Sequence, residues 1–331
     1  MKLLVLGARD VHALLPYAEC TAAMREALVA YESGQAHQPL RTIIRPPAAA
    51  GMMALMPAYL AAGQDATAAY GLKAICIFGG NPALGLDSHQ GVVLLSSAQT
   101  GEPLALLNAS AVTEIRTAAV SAVATELLAR PGAAELAIIG TGVQARSHLL
   151  AIAAARPLDR VRVAGRHPDK ARRFAEDLRE YTTVPVTACD SAADAVAGAG
   201  IVVTATSSAE PVLRRDWLAP GAHVNAVGAC VPQARELDAE TMAAAAVFAD
   251  SRESVANEAG DYVLAQAEGR IGPGHVRAEL GELLTGAAPG RSGEYEITVF
   301  ESLGLAIEDL VAARLAYRNA TARGAGTWVD F

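Results

Sequence analysis

Residues 136–152, "LAIIGTGVQARSHLLAI", run from a short apolar stretch through two glycines into an Ala-rich helical pattern. Gly140, Gly142 and Ala145 occupy the three small positions of a G-x-G-x-x-G/A fingerprint. The first glycine permits the tight turn, the second lets a pyrophosphate approach the backbone, and the alanine lets helix and strand pack closely. The helix that opens at Val143 and Gln144 turns its N-terminus toward the phosphates. By itself the pattern is weak, but a strand before it, a helix after it and a full βαβ continuation make it a dinucleotide site. The end of the next strand, "VRVAGRHPDK" at 161–170, bears on which dinucleotide is bound. An NAD-preferring site usually places a carboxylate there, and this chain has Gly165, Arg166 and His167. Pro168 suits the first helical position, so Asp169 falls in the first helical turn and is explained by the helix dipole. Arg166 with no competing acid suits a 2′-phosphate, which points to NADPH with NADH still possible; a solvated loop arginine is the alternative.

Working outward, "AELAIIG", "RVRVAG", "VPVTAC", "GIVVTATSS", "AHVNAVG" and "AAVFADS" are short apolar runs, most of them followed by Ala-rich helical stretches. Such β-then-α alternation over 134–250 predicts an α/β, Rossmann-type, doubly wound parallel sheet. The chain before residue 112 has a different texture: one helix, "PYAECTAAMREALVAYESG", and several β-like runs, the last a hairpin centred on Ser97–Pro103. This is the pattern of an α+β sheet domain. "TEIRTAAVSAVATELLARPG" then reads as a long helix, with Thr113 as N-cap and Pro131-Gly132 as its stop. The closing "FESLGLAIEDLVAARLAYRNATA" reads as a strong amphipathic helix with no strand behind it. It is expected to return to the first domain. The expected division is 1–118 with 305–331 for the sheet domain, and 119–304 for the Rossmann domain.

Composition narrows the functional classes. The chain has 331 residues, 52% of them hydrophobic and 19% charged, with a formal net charge of −8. No basic tract is available to displace counterions from nucleic-acid phosphates, so nucleic acid is not an expected partner. Small anionic ligands remain open. Cys20, Cys76, Cys189 and Cys230 are scattered without metal-site or disulfide spacing, which fits a reducing, cytoplasmic setting. The N-terminal apolar run, Leu3–Leu6, is too short for a signal peptide. No later segment reaches the ~18 apolar residues of a membrane span.

"AYGLKAICIF", residues 69–78, is a strand pattern with Lys73 at its middle. Lys73 shares one face with Ile75 and Ile77, while Leu72, Ala74 and Cys76 take the other. A buried ammonium must find an anion or lose its proton; otherwise Lys73 is an edge lysine that reaches back to water. Two further cations sit in unusual places. Arg116 falls in the first turn of the helix opened by Thr113, where the dipole disfavours positive charge unless an anion is held there. Arg41, in "QPLRTIIRPP", lies among apolar neighbours, although Arg45 could equally be the inward one. Arg41, Lys73 and Arg116 together describe a clamp for a small carboxylic acid.

"QPLRT", "MPAY" at 56–59, "SHQ" at 88–90, "IRTAAVSAVAT", "GTGVQARSH", "PGAHVNAVGA" with "REL" at 235–237, and "VFESLGLAIEDLVAA" resemble the ornithine cyclodeaminase/mu-crystallin family, in order and almost end to end. The resemblance implies a Rossmann domain, a sheet domain that forms a homodimer, and a substrate between them. It also implies that Arg41, Lys73 and Arg116 bind substrate. Cyclodeaminases resemble one another in carrying a catalytic aspartate where "VGACVP" has Cys230. A neutral thiol is a poor substitute for that carboxylate, so ornithine cyclodeamination is not expected. Cys230 is either a small packing residue or a catalytic thiol. Asn108, where relatives often have Asp-Gly, is a second departure. The surrounding motif is more similar to the ketimine reductase branch. It implies an oxidoreductase of amino-acid metabolism that reduces a small, cyclic 2-imino carboxylate with NADPH. An amino-acid dehydrogenase acting on a 2-oxo acid, and a non-catalytic NADPH-dependent binding protein, are the alternatives. Thr204, Ala205, Thr206 and Ser207, with Val227 and Gly228, are expected on the nicotinamide side. Glu258 is either a residue of the pocket rim or a solvated helix residue.

Overall fold

The computed structural model describes residues 2–63 and 67–331. Two compact units emerge, one from Met1–Arg116 with Gly304–Phe331, the other from Thr117–Leu303. The first unit begins with strands β1 (Lys2–Leu6), β2 (Ala36–His37), β3 (Thr42–Ile44), β4 (Met52–Leu60), β5 (Ala69–Ile77), β6 (His89–Ser97) and β7 (Pro103–Asn108). The second contains β8 (Glu135–Ile139), β9 (Arg160–Ala164), β10 (Val186–Ala188), β11 (Ile201–Thr204), β12 (His223–Ala226), β13 (Ala246–Ala249), β14 (Val276–Glu279) and β15 (Thr298–Glu301). Strand β16 (Thr327–Asp330) closes the chain in the first unit.

In the first unit the sheet order is β16-β1-β7-β6-β5-β4-β2, with β3 also paired to β4. Strands β4 to β7 form an antiparallel meander whose β6–β7 turn is the expected hairpin. Strand β5 is therefore central. Its alternation buries Ala69, Gly71, Lys73 and Ile75 and leaves Tyr70 exposed. The buried face carries the helix Ala306–Arg323, which also packs against the helix Tyr17–Glu32. Partners on both sides explain why Ala306–Ala313 are all buried, including Glu308 and Asp309. The helix is thus a core helix and not the expected amphipathic one. A strand does follow it. Strand β16 pairs antiparallel with β1 at the sheet edge, where Trp328 stays half exposed and no apolar alternation announces it.

The long central helix also differs at its start. It spans Ala109–Leu128, directly after β7, and Asn108 Oδ1 accepts the Ala111 N–H at 2.9 Å. Asn108 is the capping residue, a role its side chain performs well. Thr113 therefore lies inside the helix, and Arg116 is two turns in, away from the helix dipole that was expected to bear on it.

The second unit is a wholly parallel sheet, ordered β10-β9-β8-β11-β12-β15-β13-β14. One face buries Val202, Val224, Val247 and Val299, the other Ile138, Val161, Val163 and Val203. Burial on both faces accounts for strands that read as continuous apolar runs. Strands β14 and β15 lie beyond the expected alternation. Phe300 and Glu301, read with the last helix, belong to β15, which inserts between β12 and β13. Among the described residues no helix is long and apolar enough to cross a membrane.

Candidate active site

Lys73 projects from the middle of β5, opposite Met56 of β4 and Val93 of β6, and only 3% of it is exposed. The edge-lysine alternative is thereby excluded. Its Nζ lies 2.7 Å from Asp309 Oδ2. Arg116, equally buried, places Nε 3.0 Å from Asp309 Oδ1 and Nη1 2.7 Å from Glu308 Oε2. One carboxylate thus bridges two cations inside the unit. Arg41, half-buried just before β3, donates from Nη2 to the Gly304 carbonyl at 3.0 Å. Arg45 is exposed and directed to Met52 Sδ, so Arg41 is the inward arginine of the pair.

The C-terminal helix begins where this cluster needs it. Gln38 Oε1 accepts the Ile307 N–H at 2.8 Å, so the "QPLRT" segment holds the helix start through Gln38 and Arg41 together. Gly304 has φ +81°, and a Cβ there would run into the Arg116 guanidinium. This position requires glycine both for its backbone and for the close approach of the arginine. Two cations, Lys73 and Arg116, thus stand with two carboxylates, Glu308 and Asp309, and Arg41 lies beside them at the Gly304 carbonyl.

Burial, the largest influence, lowers the Lys73 ammonium to about 8; Asp309 opposes the shift, and the charges of Arg116 and Arg41 add less. Lys73 is therefore protonated at neutral pH yet able to give up its proton. The two acids were not recognised from the sequence. Their signal was adjacent carboxylates, "ED" at 308–309, in the otherwise apolar opening "AIEDLVAA" of the helix.

In the second unit, Gly140 follows β8 with φ +135°, and a Cβ there would strike the Ala205 carbonyl. Gly142 is the extended N-cap of the helix Val143–Ala155, with open space where its side chain would be. Ala145 is fully buried against the sheet core. The first-turn amides of Val143, Gln144 and Ala145 are those an N-terminal helix turn leaves without helical acceptors. This cradle fits a dinucleotide pyrophosphate. A buried histidine stabilises it: His148 Nδ1 is 2.7 Å from the Gln144 carbonyl, and Nε2 is 2.9 Å from Ser121 Oγ. Burial pushes His148 down to about 4, so the ring is neutral, Nδ1–H donates and Nε2 accepts from the serine hydroxyl.

Arg166 and His167 are exposed after β9, and His167 is the N-cap of the helix Pro168–Asp177. Asp169 is paired with Arg172 Nη1 at 2.7 Å, which leaves Arg166 without that competitor. Thr204 ends β11, and Ala205 and Thr206 follow it beside the Gly140 turn. Val227, nearly buried, donates its N–H to the Thr204 carbonyl at 3.0 Å. Cys230 Sγ lies 3.3 Å from the Val227 carbonyl and packs on the apolar core. Glu258 is half-buried at the end of the helix Arg252–Glu258.

The model of the ornithine cyclodeaminase/mu-crystallin family matches residues 1–324. The chain belongs to that family. It is 41% identical over 284 residues to the ketimine reductase mu-crystallin of Mus musculus, covering 86% of this chain and 85% of the relative. The structure of Thermococcus litoralis Delta(1)-pyrroline-2-carboxylate reductase in complex with NADH and L-proline superposes with a TM-score of 0.94 at 38% identity, covering 98% and 99% of the two chains. An archaeal alanine dehydrogenase dimer with bound NAD gives 0.92 at 31% identity over the whole of both chains. In this family member, therefore, the cation cluster and the glycine cradle lie in a fold that also serves reductases and a dehydrogenase.

Proposed function

We propose that this protein reduces a small cyclic 2-imino carboxylate to the amino acid, with NADPH as the preferred reductant. The observation that carries the reading is the buried cluster of Lys73 and Arg116 on Asp309, with Arg41 beside it. Such a set recognises a carboxylate through charge-assisted hydrogen bonds. The cofactor supplies the hydride. Arg41 and Arg116 orient the substrate carboxylate. Lys73 keeps the imine nitrogen protonated, which makes its carbon the better hydride acceptor.

Gly140, Gly142, Val143, Gln144 and Ala145 would hold the pyrophosphate, Arg166 and His167 the 2′-phosphate, and Thr204–Thr206 with Val227 the nicotinamide side. Cys230, directed at a backbone carbonyl, acts as a packing residue in this reading, and cyclodeamination has no carboxylate at that position. The protein works as a homodimer through the outward face of the first sheet, where Met53, Tyr70 and Val92 are exposed. The archaeal alanine dehydrogenase, a dimer, supports the dimeric state.

The test is NADPH oxidation with Δ1-piperideine-2-carboxylate and Δ1-pyrroline-2-carboxylate, run beside pyruvate with and without ammonia. Turnover of either cyclic imine alone is expected. Turnover confined to pyruvate plus ammonia would replace this reading with an amino-acid dehydrogenase.

A further inference from the structure

Glu236 is fully buried and takes no part in the chemistry proposed above. Its Oε1 accepts the Thr206 N–H at 2.5 Å and its Oε2 accepts the Gly228 N–H at 2.7 Å. One carboxylate thus joins the loops that leave β11 and β12, two neighbouring strands of the parallel sheet. Ligands of open α/β sheets bind at these carboxyl ends. The side chain fits closely: a Cβ on Gly228 would strike the Thr206 carbonyl and the Glu236 carboxyl group. The backbone beneath it is held as well, since Asp261 Oδ1 accepts the N–H groups of Glu236 and Leu237, both at 2.7 Å.

The charged groups around it are mostly acids. Asp261 comes from the helix Gly260–Ala267, Glu301 from the end of β15 and Asp250 from the end of β13. Arg235, on the same segment as Glu236, is engaged with Glu268 at 2.6 Å. Burial and the neighbouring Asp261, Glu236 and Asp250 push Glu301 well up, and burial with Glu236 pushes Asp261 up to about 8, so both keep their protons at neutral pH. Burial raises Glu236 too, but two N–H donors converge on its oxygens, the arrangement that favours the ionised form.

We propose that Glu236 is a positioning residue for hydride transfer: it ties the Thr206 and Gly228 loops together and keeps a fixed negative charge behind them that favours the oxidised, cationic dinucleotide over the reduced one. This rests on reading the second unit as a dinucleotide site. Hydride donation turns a neutral ring into a cation, and a preorganised anion in a water-poor setting stabilises that charge as it develops.

The experiment measures dissociation constants of NADP+ and NADPH by calorimetric titration for the wild-type chain, Glu236→Gln and Glu236→Asp. Glu236→Gln should weaken NADP+ at least about fivefold more than NADPH, the scale of one buried charge acting across several ångströms. Glu236→Asp keeps the charge but shortens the reach. It should hold the ratio within about twofold while slowing single-turnover hydride transfer about tenfold or more. Equal losses for both cofactor forms in Glu236→Gln would make Glu236 merely structural and overturn the assignment. If that variant does not fold, wild-type hydride transfer in Glu236→Asp would overturn it instead. Binding of neither cofactor form to the wild-type chain would sink the dinucleotide reading itself and this assignment with it.

Discussion

The two clusters solve opposite problems. In the sheet unit, Lys73, Arg116, Glu308 and Asp309 are charges almost wholly removed from water, and each would cost several kcal/mol if left alone. They persist because every cation faces a carboxylate at 2.7 to 3.0 Å. In the parallel-sheet unit, the cradle at Gly140–Ala145 uses backbone amides and missing side chains, with a neutral histidine behind it. In the proposed reading the first exchanges a proton and binds a carboxylate, and the second binds and orients. What separates them is therefore the means of recognition: paired buried charges in the first, backbone geometry in the second.

The sharpest way to break this comparison is Lys73→Met. It should lower kcat/KM with a cyclic imine by about a hundredfold to ten-thousandfold, the range of a lost general acid. NADPH affinity should stay unchanged in the same titration. Retained turnover would reduce Lys73 to a structural ion-pair partner. Arg166→Ala probes the other half: the KM for NADPH should rise about tenfold, as expected for a lost charge-assisted contact, while that for NADH barely moves. Equal effects would remove the 2′-phosphate assignment.

The pH profile sharpens the contrast further. Lys73 is protonated below about 8 and neutral above it. A step that needs its ammonium is fully available on the acid side, and kcat/KM falls as pH rises through that value. Asp309→Asn removes the anion that raises the Lys73 pKa, so the alkaline limb should move to lower pH. A limb that stays in place would assign the titration to another group. The smallest effect is expected for Cys230→Ala, below about threefold in kcat/KM, because the thiol's hydrogen bonds to the Val227 and Ser302 carbonyls are weak. A large loss would make Cys230 a catalytic thiol.

How much of this was legible depended on sequence distance. The cradle occupies six consecutive residues between a strand and a helix, so its role follows from local spacing alone. Arg116 was singled out for a reason that does not hold, a helix start at Thr113, because Asn108 at the end of β7 caps the helix one turn earlier. Its actual partners lie 192 and 193 residues away. Strand β15 was hidden for a related reason: only Leu303–Leu305 separate "ITVFES" from the closing helix, and its place between β12 and β13 is set by pairing, not by order.

The amino-acid sequence by itself determined the parallel α/β half, the dinucleotide fingerprint and the presence of three unexplained cations. Each is expressed in local periodicity, local spacing or residue type. Only the tertiary structure decided that Lys73 is central and buried, that Asp309 bridges it to Arg116, and that Gly304 must be glycine. Those facts arise where the C-terminal helix meets the first sheet, a packing of distant segments whose charges balance one another only after the chain has folded.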